Sequence, residues 1–261
     1  MTSNFFREGT MIIGHRGVAV EFPANTMPSF KRAEELDVDV INTEVYLSAD
    51  GTPVVIQDEN LEEVSNGKGR VAEYTLEELQ RLDAGYHFTT DDGDTYPFRG
   101  KGLTFLSLDQ LLTEFPRQHF IMDIMDNNPQ LVDRFLDSIS RCEAEDRVCA
   151  ASRYASTMKR IRKKNPNLAT TFSLWGVLGF YFLFRSGILA MKQHFKGDVL
   201  QIPEYIGPSH LANGGLVRAA HNRGIKVYVW TVNDRQYIRR LLDIEVDGII
   251  TDNPALLKSY L

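Results

Sequence analysis

Short apolar segments alternate with longer segments of helical periodicity along most of the chain. This alternation is typical of repeated βα units and predicts a parallel sheet. Eight segments have the length and composition of buried strands: residues 11–14, 39–45, 120–124, 148–151, 168–172, 199–202, 226–231 and 246–250. Eight parallel strands joined by helices close on themselves, so we predict an α/β fold, a TIM-type (β/α)8 barrel.

The segments between these strands predict the covering helices and one insertion. Residues 26–36 carry Pro28 in a first helical turn, and residues 211–222, 234–242 and 254–261 have similar helical patterns. The stretch 46–116 is too long for one βα connection. A turn at residues 49–51 followed by apolar residues 53–56 predicts a hairpin, and with it a small insertion after the second strand.

Length and composition limit the broad class of the protein. The 261 residues show no internal repeat and no linker, which predicts a single barrel domain over residues 1–261. The formal net charge of −6 argues against nucleic acid as a partner. Cys142 and Cys149 are too few for a disulfide framework. The first ten residues lack the apolar core of a signal peptide, so we expect a cytoplasmic protein or one at the cytoplasmic membrane face.

The most apolar segment of the chain is LWGVLGFYFLF, residues 174–184. Its eleven residues are too few to span a bilayer, which takes about 20. A buried barrel helix is one interpretation. The other is peripheral membrane contact through residues 174–191, with Leu174, Trp175, Phe180 and Phe182 at the lipid surface. The position of this segment after the fifth strand favours the second interpretation, because loops after barrel strands open onto the face that holds active sites.

Two residues at the end of the first strand are the first candidates for chemistry. His15 and Arg16 should project at the carboxyl end of the barrel, where catalytic groups of this fold concentrate. A guanidinium can bind phosphate through two hydrogen bonds, and Gly17 permits a tight turn behind it. A histidine that is merely part of the scaffold is the alternative.

Polar residues also end the next two strands. Asn42 and Glu44 share one face of the second strand by the two-residue period, and Asp123 and Met125 share one face of the third. Two carboxylates and an amide oxygen could hold a hard cation such as Mg²⁺ or Ca²⁺. Alternatively, these groups cap loops or pair with Arg16.

An aromatic residue ends the seventh predicted strand. Trp230 would wall the pocket or stack on a substrate, although a core tryptophan is equally compatible with the sequence.

Several stretches together resemble the glycerophosphodiester phosphodiesterase family, from residue 11 to about residue 257. They are GHRG at 14–17, FPANTMPSF at 22–30, INTEVYLSADGTPVVIQDENL at 41–61, MDIM at 122–125, VYVWTVND at 227–234 and VDGIITDNP at 246–254. The order of FSL, an apolar hairpin and LQIPEYIG looks closest to the membrane-associated branch that acts on lysophospholipids.

The resemblance implies hydrolysis of a phosphodiester by two histidines, with Mg²⁺ or Ca²⁺ held by three carboxylates and a lysine beside the phosphate. His15 and Arg16 match the family's first histidine and arginine, and Trp230 matches its pocket tryptophan. The expected partner is a small glycerophosphodiester or a lysophospholipid. The remaining substrate contacts would come from Asn42, Met125 and Trp175.

The departures from the family pattern are concentrated in the pocket. Gln57 stands where the second histidine is expected, and a glutamine amide cannot exchange a proton near neutral pH. The three metal carboxylates fall at Asn42, Glu44 and Asp123. The lysine falls at Met125, and the glutamate of the PENT stretch falls at Ala24.

These departures predict impaired or lost hydrolysis, since an acid/base partner alone contributes about 10² to 10⁴ in rate. The intact scaffold motifs indicate selective replacement, in a natural non-catalytic relative or an engineered pocket; the sequence leaves both open. One alternative is a non-catalytic binding module. Another is a barrel that uses Glu44, or else Asp123, as general base on a non-phosphate substrate, with Gln57 donating to the oxyanion. If Glu44 pairs with Arg16, it would be a weak base.

Overall fold

The computed structural model describes residues 5–206 and 209–261. In these ranges the strands are β1 (Met11–His15), β2 (Val40–Leu47), β3 (Pro53–Val55), β4 (Leu106–Ser107), β5 (His119–Ile124), β6 (Val148–Ala151), β7 (Ala169–Thr170), β8 (Val199–Pro203), β9 (Tyr205–Ile206), β10 (Ser209–His210), β11 (Lys226–Trp230) and β12 (Gly248–Thr251).

The α-helices of the same ranges are α1 (Met27–Glu35), α2 (Leu76–Leu79), α3 (Leu108–Glu114), α4 (Pro129–Arg141), α5 (Ala155–Lys164), α6 (Leu174–Arg185), α7 (Gly214–His221), α8 (Arg235–Asp243) and α9 (Pro254–Lys258). Short 3-10 turns occupy Leu61–Glu63, Val71–Glu73, Glu145–Arg147 and Leu189–Met191.

Eight parallel strands form the barrel in the order β7-β6-β5-β2-β1-β12-β11-β8. The two ends of this order meet through a parallel bridge between Thr171 and Val199, which brings the sheet round on itself. The predicted TIM-type barrel is thereby confirmed. The fifth strand is shorter than its apolar segment, Ala169–Thr170 instead of 168–172, because its carboxyl end makes only that single bridge.

The two-residue period sorts strand side chains between two cores. In β1, Met11 and Ile13 point into the barrel interior, whereas Ile12 packs outward against the helices. The same alternation places Val40 and Ile121 inside. Two residues further along the same three strands, toward their carboxyl ends, the inward side chains are the polar His15, Asn42 and Asp123. The period therefore puts a polar mouth directly above an apolar interior.

The insertion after the second strand is also confirmed. Strand β3 folds back antiparallel on β2, and β4 pairs antiparallel with β3. This hairpin has its own apolar cluster, with Val54, Ile56 and Leu61 fully buried. Ile56 donates its backbone N–H to the carbonyl of Glu44 over 3.1 Å, which ties the hairpin to the mouth end of β2.

The apolar segment after the fifth strand is helix α6, and part of its expected exposure is wrong. Leu174, Trp175 and Phe182 are exposed, but Phe180 is fully buried. Its ring packs against the rings of Phe172 and Phe195, so it belongs to the core. Within the described ranges we find no helix long and apolar enough to cross a membrane.

Candidate active site at the barrel mouth

The first polar pair at the mouth joins the ends of two neighbouring strands. His15, the last residue of β1, lies with its Nδ1 2.7 Å from the Oδ1 of Asp252, which follows β12. The other Asp252 oxygen accepts a 2.7 Å hydrogen bond from the amide of Asn233. Asn233 is itself oriented by Thr251, whose hydroxyl donates to the Asn233 carbonyl oxygen over 2.9 Å.

This pairing determines which nitrogen of the imidazole holds the proton. An ionised carboxylate only accepts hydrogen bonds, so Nδ1 of His15 is the donor. Burial alone would raise the pKa of Asp252. The hydrogen bonds from His15 and Asn233 outweigh burial and hold that pKa below its usual value. With Nδ1 as the donor, the lone pair of a neutral His15 lies on Nε2, the nitrogen on the side of Glu44.

A second network surrounds Glu44, whose side chain is almost fully buried. Arg16 donates from Nε to one carboxylate oxygen over 2.7 Å, and Asn25 donates from its amide to the other over 2.8 Å. Thr43, on the outward face of β2, orients Asn25 through a 2.7 Å hydrogen bond to its amide oxygen. The sequence left open whether Glu44 is a free carboxylate base or pairs with Arg16, and in the structure it pairs with Arg16.

The loop after β1 holds Arg16 in place. Arg16 adopts a left-handed backbone conformation (φ 60°), which costs about 1 kcal/mol or more in a non-glycine residue. Its backbone N–H donates to the carbonyl of Asn42 over 2.7 Å, and its own carbonyl accepts from Ser29. Gly17 follows with φ 94°, and a Cβ there would lie 2.3 Å from the hydroxyl oxygen of Ser29. Only glycine fits this turn.

The third pair connects β2 and β5. The amide nitrogen of Asn42 lies 2.8 Å from the Oδ2 of Asp123 and 3.3 Å from the carbonyl oxygen of Ile121. Because both neighbours are acceptors, the amide must present its N–H groups to them. The Asp123 carboxyl lies deep in the mouth with a small part of its surface open to solvent, and desolvation raises its pKa to about 6.

The hydrogen bonds around Glu44, Asp123 and Asn42 do not leave the set of oxygen ligands that a divalent cation needs. Both oxygens of Glu44 and one oxygen of Asp123 accept hydrogen bonds from protein N–H groups, and Asn42 presents N–H groups, which no metal ion can use as ligands. In residues 5–206 and 209–261, no group of three or more His, Cys, Asp or Glu side chains could hold a metal ion. The expected Mg²⁺ or Ca²⁺ site at Glu44, Asp123 and Asn42 is therefore not formed by the side chains as they stand.

Two further expected site residues border this network. Gln57 is half-buried and follows Ile56, which is tied to the carbonyl of Glu44, so it lies at the mouth end of the hairpin. Met125 does not share the strand of Asp123, because β5 ends at Ile124. Its side chain packs against the apolar cluster of the insertion.

The two tryptophans of the chain have separate locations. Trp230 ends β11, two residues after the inward-facing Tyr228, and is 42% exposed at the mouth. It can present an aromatic face to a ligand there. Trp175, expected to bind substrate, lines instead a groove between α5 and α6 on the outside of the barrel. None of the mouth residues His15, Glu44 and Asp123 lines that groove.

Sequence reasoning missed three contributors to the mouth: Asn25, Asn233 and Asp252. Each lies within a stretch that carried the family resemblance. The available signal was position, because Asp252 directly follows a barrel strand, where a carboxylate belongs to the mouth. Asn25 gave a weaker signal, since its partner Glu44 lies 19 residues away along the chain.

Comparisons with known proteins identify relatives over most of the chain. Residues 15–256 match the model of the glycerophosphoryl diester phosphodiesterase family. A glycerophosphodiester phosphodiesterase of Caldanaerobacter subterraneus subsp. tengcongensis is 30% identical over 95% of this chain and 96% of its own length. The lysophospholipase D GDPD1 of Homo sapiens is 25% identical over 95% of this chain and 85% of its own length.

A comparison with solved structures concerns the fold. The glycerophosphoryl diester phosphodiesterase domain of an uncharacterized Mycobacterium tuberculosis protein superimposes with a TM-score of 0.87, at 22% identity, over 97% of this chain and 100% of the other. At that identity the likeness concerns the fold. The match over residues 15–256 establishes the relationship: this chain belongs to the glycerophosphoryl diester phosphodiesterase family.

Proposed function

We propose that the barrel mouth binds the head of a glycerophosphodiester or lysophospholipid and hydrolyses it slowly or not at all. The observation that carries the proposal is the hydrogen bond between Asn42 and Asp123. The amide N–H of Asn42 donates a hydrogen bond to Asp123 but carries no positive charge. A bound cation would supply that charge and stabilise the phosphorane that develops during hydrolysis. Gln57 adds no acid or base at the position where the family has its second histidine.

His15 and Arg16 support ligand binding at the same mouth. The Nε2 atom of His15 lies 4.0 Å from the nearest Glu44 oxygen. Arg16 is about a quarter exposed, and only its Nε is engaged by Glu44 in the hydrogen bonds described above. The remaining guanidinium N–H groups can donate to a phosphate oxygen.

The charge of the mouth favours a zwitterionic ligand over an anionic one. Three carboxylates, those of Glu44, Asp123 and Asp252, face one guanidinium and one imidazole. A phosphodiester with a quaternary ammonium group offsets this excess of negative charge. The exposed face of Trp230 is a suitable surface for such a cation, because a tryptophan ring attracts quaternary ammonium groups.

A single-tryptophan protein tests binding. In Trp175→Phe, Trp230 is the only remaining tryptophan, since the chain has two. Titration with sn-glycero-3-phosphocholine should change its emission, and sn-glycero-3-phosphoglycerol should bind at least about tenfold more weakly. No response to either ligand would contradict binding at the mouth. Equal affinity would contradict the role of charge.

Turnover tests the other half of the proposal. With Mg²⁺ or Ca²⁺ present, choline release from sn-glycero-3-phosphocholine should fall far below the about 1 to 10³ per second of ordinary enzymes. A rate within that range would show that hydrolysis is intact. The assay is independent of the fluorescence titration, so binding without turnover can be distinguished from the absence of both.

A second candidate function is supported by Asp123. Its pKa of about 6 makes it a stronger base than an ordinary aspartate, and it remains largely ionised at neutral pH. Glu44 is the weaker candidate because Arg16 and Asn25 occupy both of its oxygens. The test is a pH–rate profile on the activated carbon acid 5-nitrobenzisoxazole. Asp123→Asn should abolish any rate while Glu44→Gln retains it, and equal rates in Asp123→Asn and the parent would exclude this base.

A further inference from the structure

Helix α6 is apolar on the side that faces solvent. Leu174, Leu178 and Phe182 follow one another at four-residue spacing and are all exposed, with Trp175 beside them. Trp175 is 74% exposed and Phe182 is 66% exposed. The opposite side of the helix is apolar as well, because Val177 and Phe180 pack into the core. A helix that is apolar all round is normally enclosed by protein or lipid.

Helix α8 shows what an ordinary outer helix of this barrel looks like. It buries Ile238 and Leu241, whereas its exposed positions carry Arg235, Arg239 and Asp243. The exposed side of α6 carries no charge before Arg185, its last residue. Barrel architecture alone therefore does not account for the apolar outer side of α6.

Basic side chains adjoin this apolar side. The groove between α5, α6 and residues 192–198 has a volume of about 1610 Å³, larger than an ordinary small-molecule pocket of about 300 to 1,000 Å³. Its apolar part includes Trp175 and Phe182. Its lining has five cationic side chains, namely Lys159, Arg162, Lys163, Lys192 and Lys196, against the two carboxylates of Asp146 and Asp198.

We propose that this face, defined by the outer side of α6 and the lysines of the groove, docks on the surface of an anionic lipid bilayer. Exposed tryptophan, leucine and phenylalanine would enter the interfacial layer, and the lysines would contact anionic headgroups. Lysine is depleted at protein–protein interfaces, so a lysine-rimmed apolar face favours lipid over a protein partner. Helix α6, with its twelve residues, lies on the membrane and does not cross it.

The proposal does not depend on chemistry at the mouth, because none of its residues belongs to the networks around His15, Glu44 and Asp123. Its test uses Trp230→Phe, in which Trp175 is the only tryptophan. Vesicles of equimolar phosphatidylcholine and phosphatidylglycerol should shift Trp175 emission to shorter wavelength and carry the protein upward in flotation. Vesicles of phosphatidylcholine alone should bind at least about tenfold more weakly, and added salt should reduce binding to the anionic vesicles.

Two variants separate the apolar and basic contributions. In the otherwise native chain, replacing Trp175 and Phe182 by serine should weaken flotation about tenfold or more with an unchanged melting curve, because both side chains are exposed. Lys159→Gln with Lys163→Gln should weaken it about fivefold for each lysine. Lys31→Gln with Lys101→Gln is the matched control, since these exposed lysines lie outside the groove, and it should bind like the parent.

Four results would overturn the proposal. The first is the absence of binding to the anionic vesicles, and the second is equal binding by the parent and the serine variant. The third is self-association in solution that the serine variant abolishes, because a second copy of the chain would then cover the face. The fourth is loss of binding in the Lys31 and Lys101 control, because binding would then depend on lysines outside this face.

Discussion

The amide of Asn42 and the carboxylate of Asp123 form a 2.8 Å hydrogen bond between neighbouring barrel strands. The bond satisfies one oxygen of Asp123 but brings no opposite charge to it. Desolvation therefore dominates, and the pKa of Asp123 rises from an ordinary 3.8 to about 6. A carboxyl whose pKa is raised by folding contributes most stability below its unfolded pKa, and that contribution is lost as pH rises through the folded pKa.

Asp123→Asn should consequently stabilise the protein at pH 8 and lose that advantage in acid. The new amide oxygen can still accept from Asn42, and no charge is buried. We expect a gain of about 1 to 2 kcal/mol at pH 8, allowing for screening by water at the mouth, and little or none near pH 4. Urea denaturation across this range measures it. Asp137→Asn, at an exposed position of α4, is the control, and a gain that does not vary with pH would contradict the raised pKa.

Arg16 and Glu44 should show strong coupling in a double-mutant cycle. Arg16→Gln leaves a buried carboxylate with only the Asn25 amide for support, which should cost about 3 kcal/mol. Glu44→Gln leaves a partly exposed guanidinium and should cost less. The double variant buries no charge, so its loss of stability should be smaller than the sum by at least about 1 kcal/mol. Losses that add within about 0.5 kcal/mol would indicate that the pair is energetically uncoupled.

Gly17 should be far less tolerant of alanine than Gly100. Both have positive φ, but a Cβ at Gly17 would lie 2.3 Å from the Ser29 hydroxyl and 2.6 Å from its carbonyl oxygen, whereas one at Gly100 meets nothing within 4 Å. Gly100→Ala should cost about 1 to 2 kcal/mol from backbone strain alone. Gly17→Ala should cost at least about 3 kcal/mol, because the loop holding Arg16 must move. Thermal melts of the two variants compare them directly, and similar losses would show that this loop yields easily.

The barrel could be predicted from the sequence because the two-residue period of a strand is visible in neighbouring residues. Rows such as Ile13 to His15 and Ile121 to Asp123 switch from apolar to polar at the strand end, and this switch can be read from the residues. The insertion followed from chain length and a turn. The predicted end of the fifth strand differs from the observed one because Thr171 makes only a single bridge, to Val199. Val199 lies far along the chain, so this pairing cannot be seen in the local sequence.

The contacts within the mouth could not be predicted in the same way. Arg16 could have paired with Glu44 or with Asp123, and only the packed loop selects the former. The amide of Asn42 faces Asp123 because the backbone carbonyl of Ile121 stands beside it. Likewise, Phe180 and Phe182 look alike in the apolar run, yet their opposite directions on α6 make one a core residue and the other a surface residue.

Substituting the family residues should raise the low rate of hydrolysis that we propose, and Asn42→Glu is the step that builds a cation site. It places two carboxylates where an amide now bonds to Asp123, so the variant should be unstable alone and regain stability with Mg²⁺ or Ca²⁺. At 100 times the dissociation constant the gain would be about 2.7 kcal/mol. Thermal melts with and without the metal measure it. The parent should show no such response, and Asn42→Gln, which adds length without charge, is the matched control.

The combined variant then tests the residue assignments. Gln57→His, Asn42→Glu, Glu44→Asp, Asp123→Glu and Met125→Lys together should raise choline release from sn-glycero-3-phosphocholine by several decades. Each single change should do little, because residues that act as a unit are strongly non-additive and each missing group masks the others. Met125→Lys is the most demanding substitution, because Met125 packs against the apolar cluster of the insertion. The ammonium group of the variant would have to point away from that cluster and toward the mouth. A combined variant that binds metal but remains inactive would place the fault at the substitution of Gln57 or of Met125, and one that does neither would refute the assignment of the pocket positions.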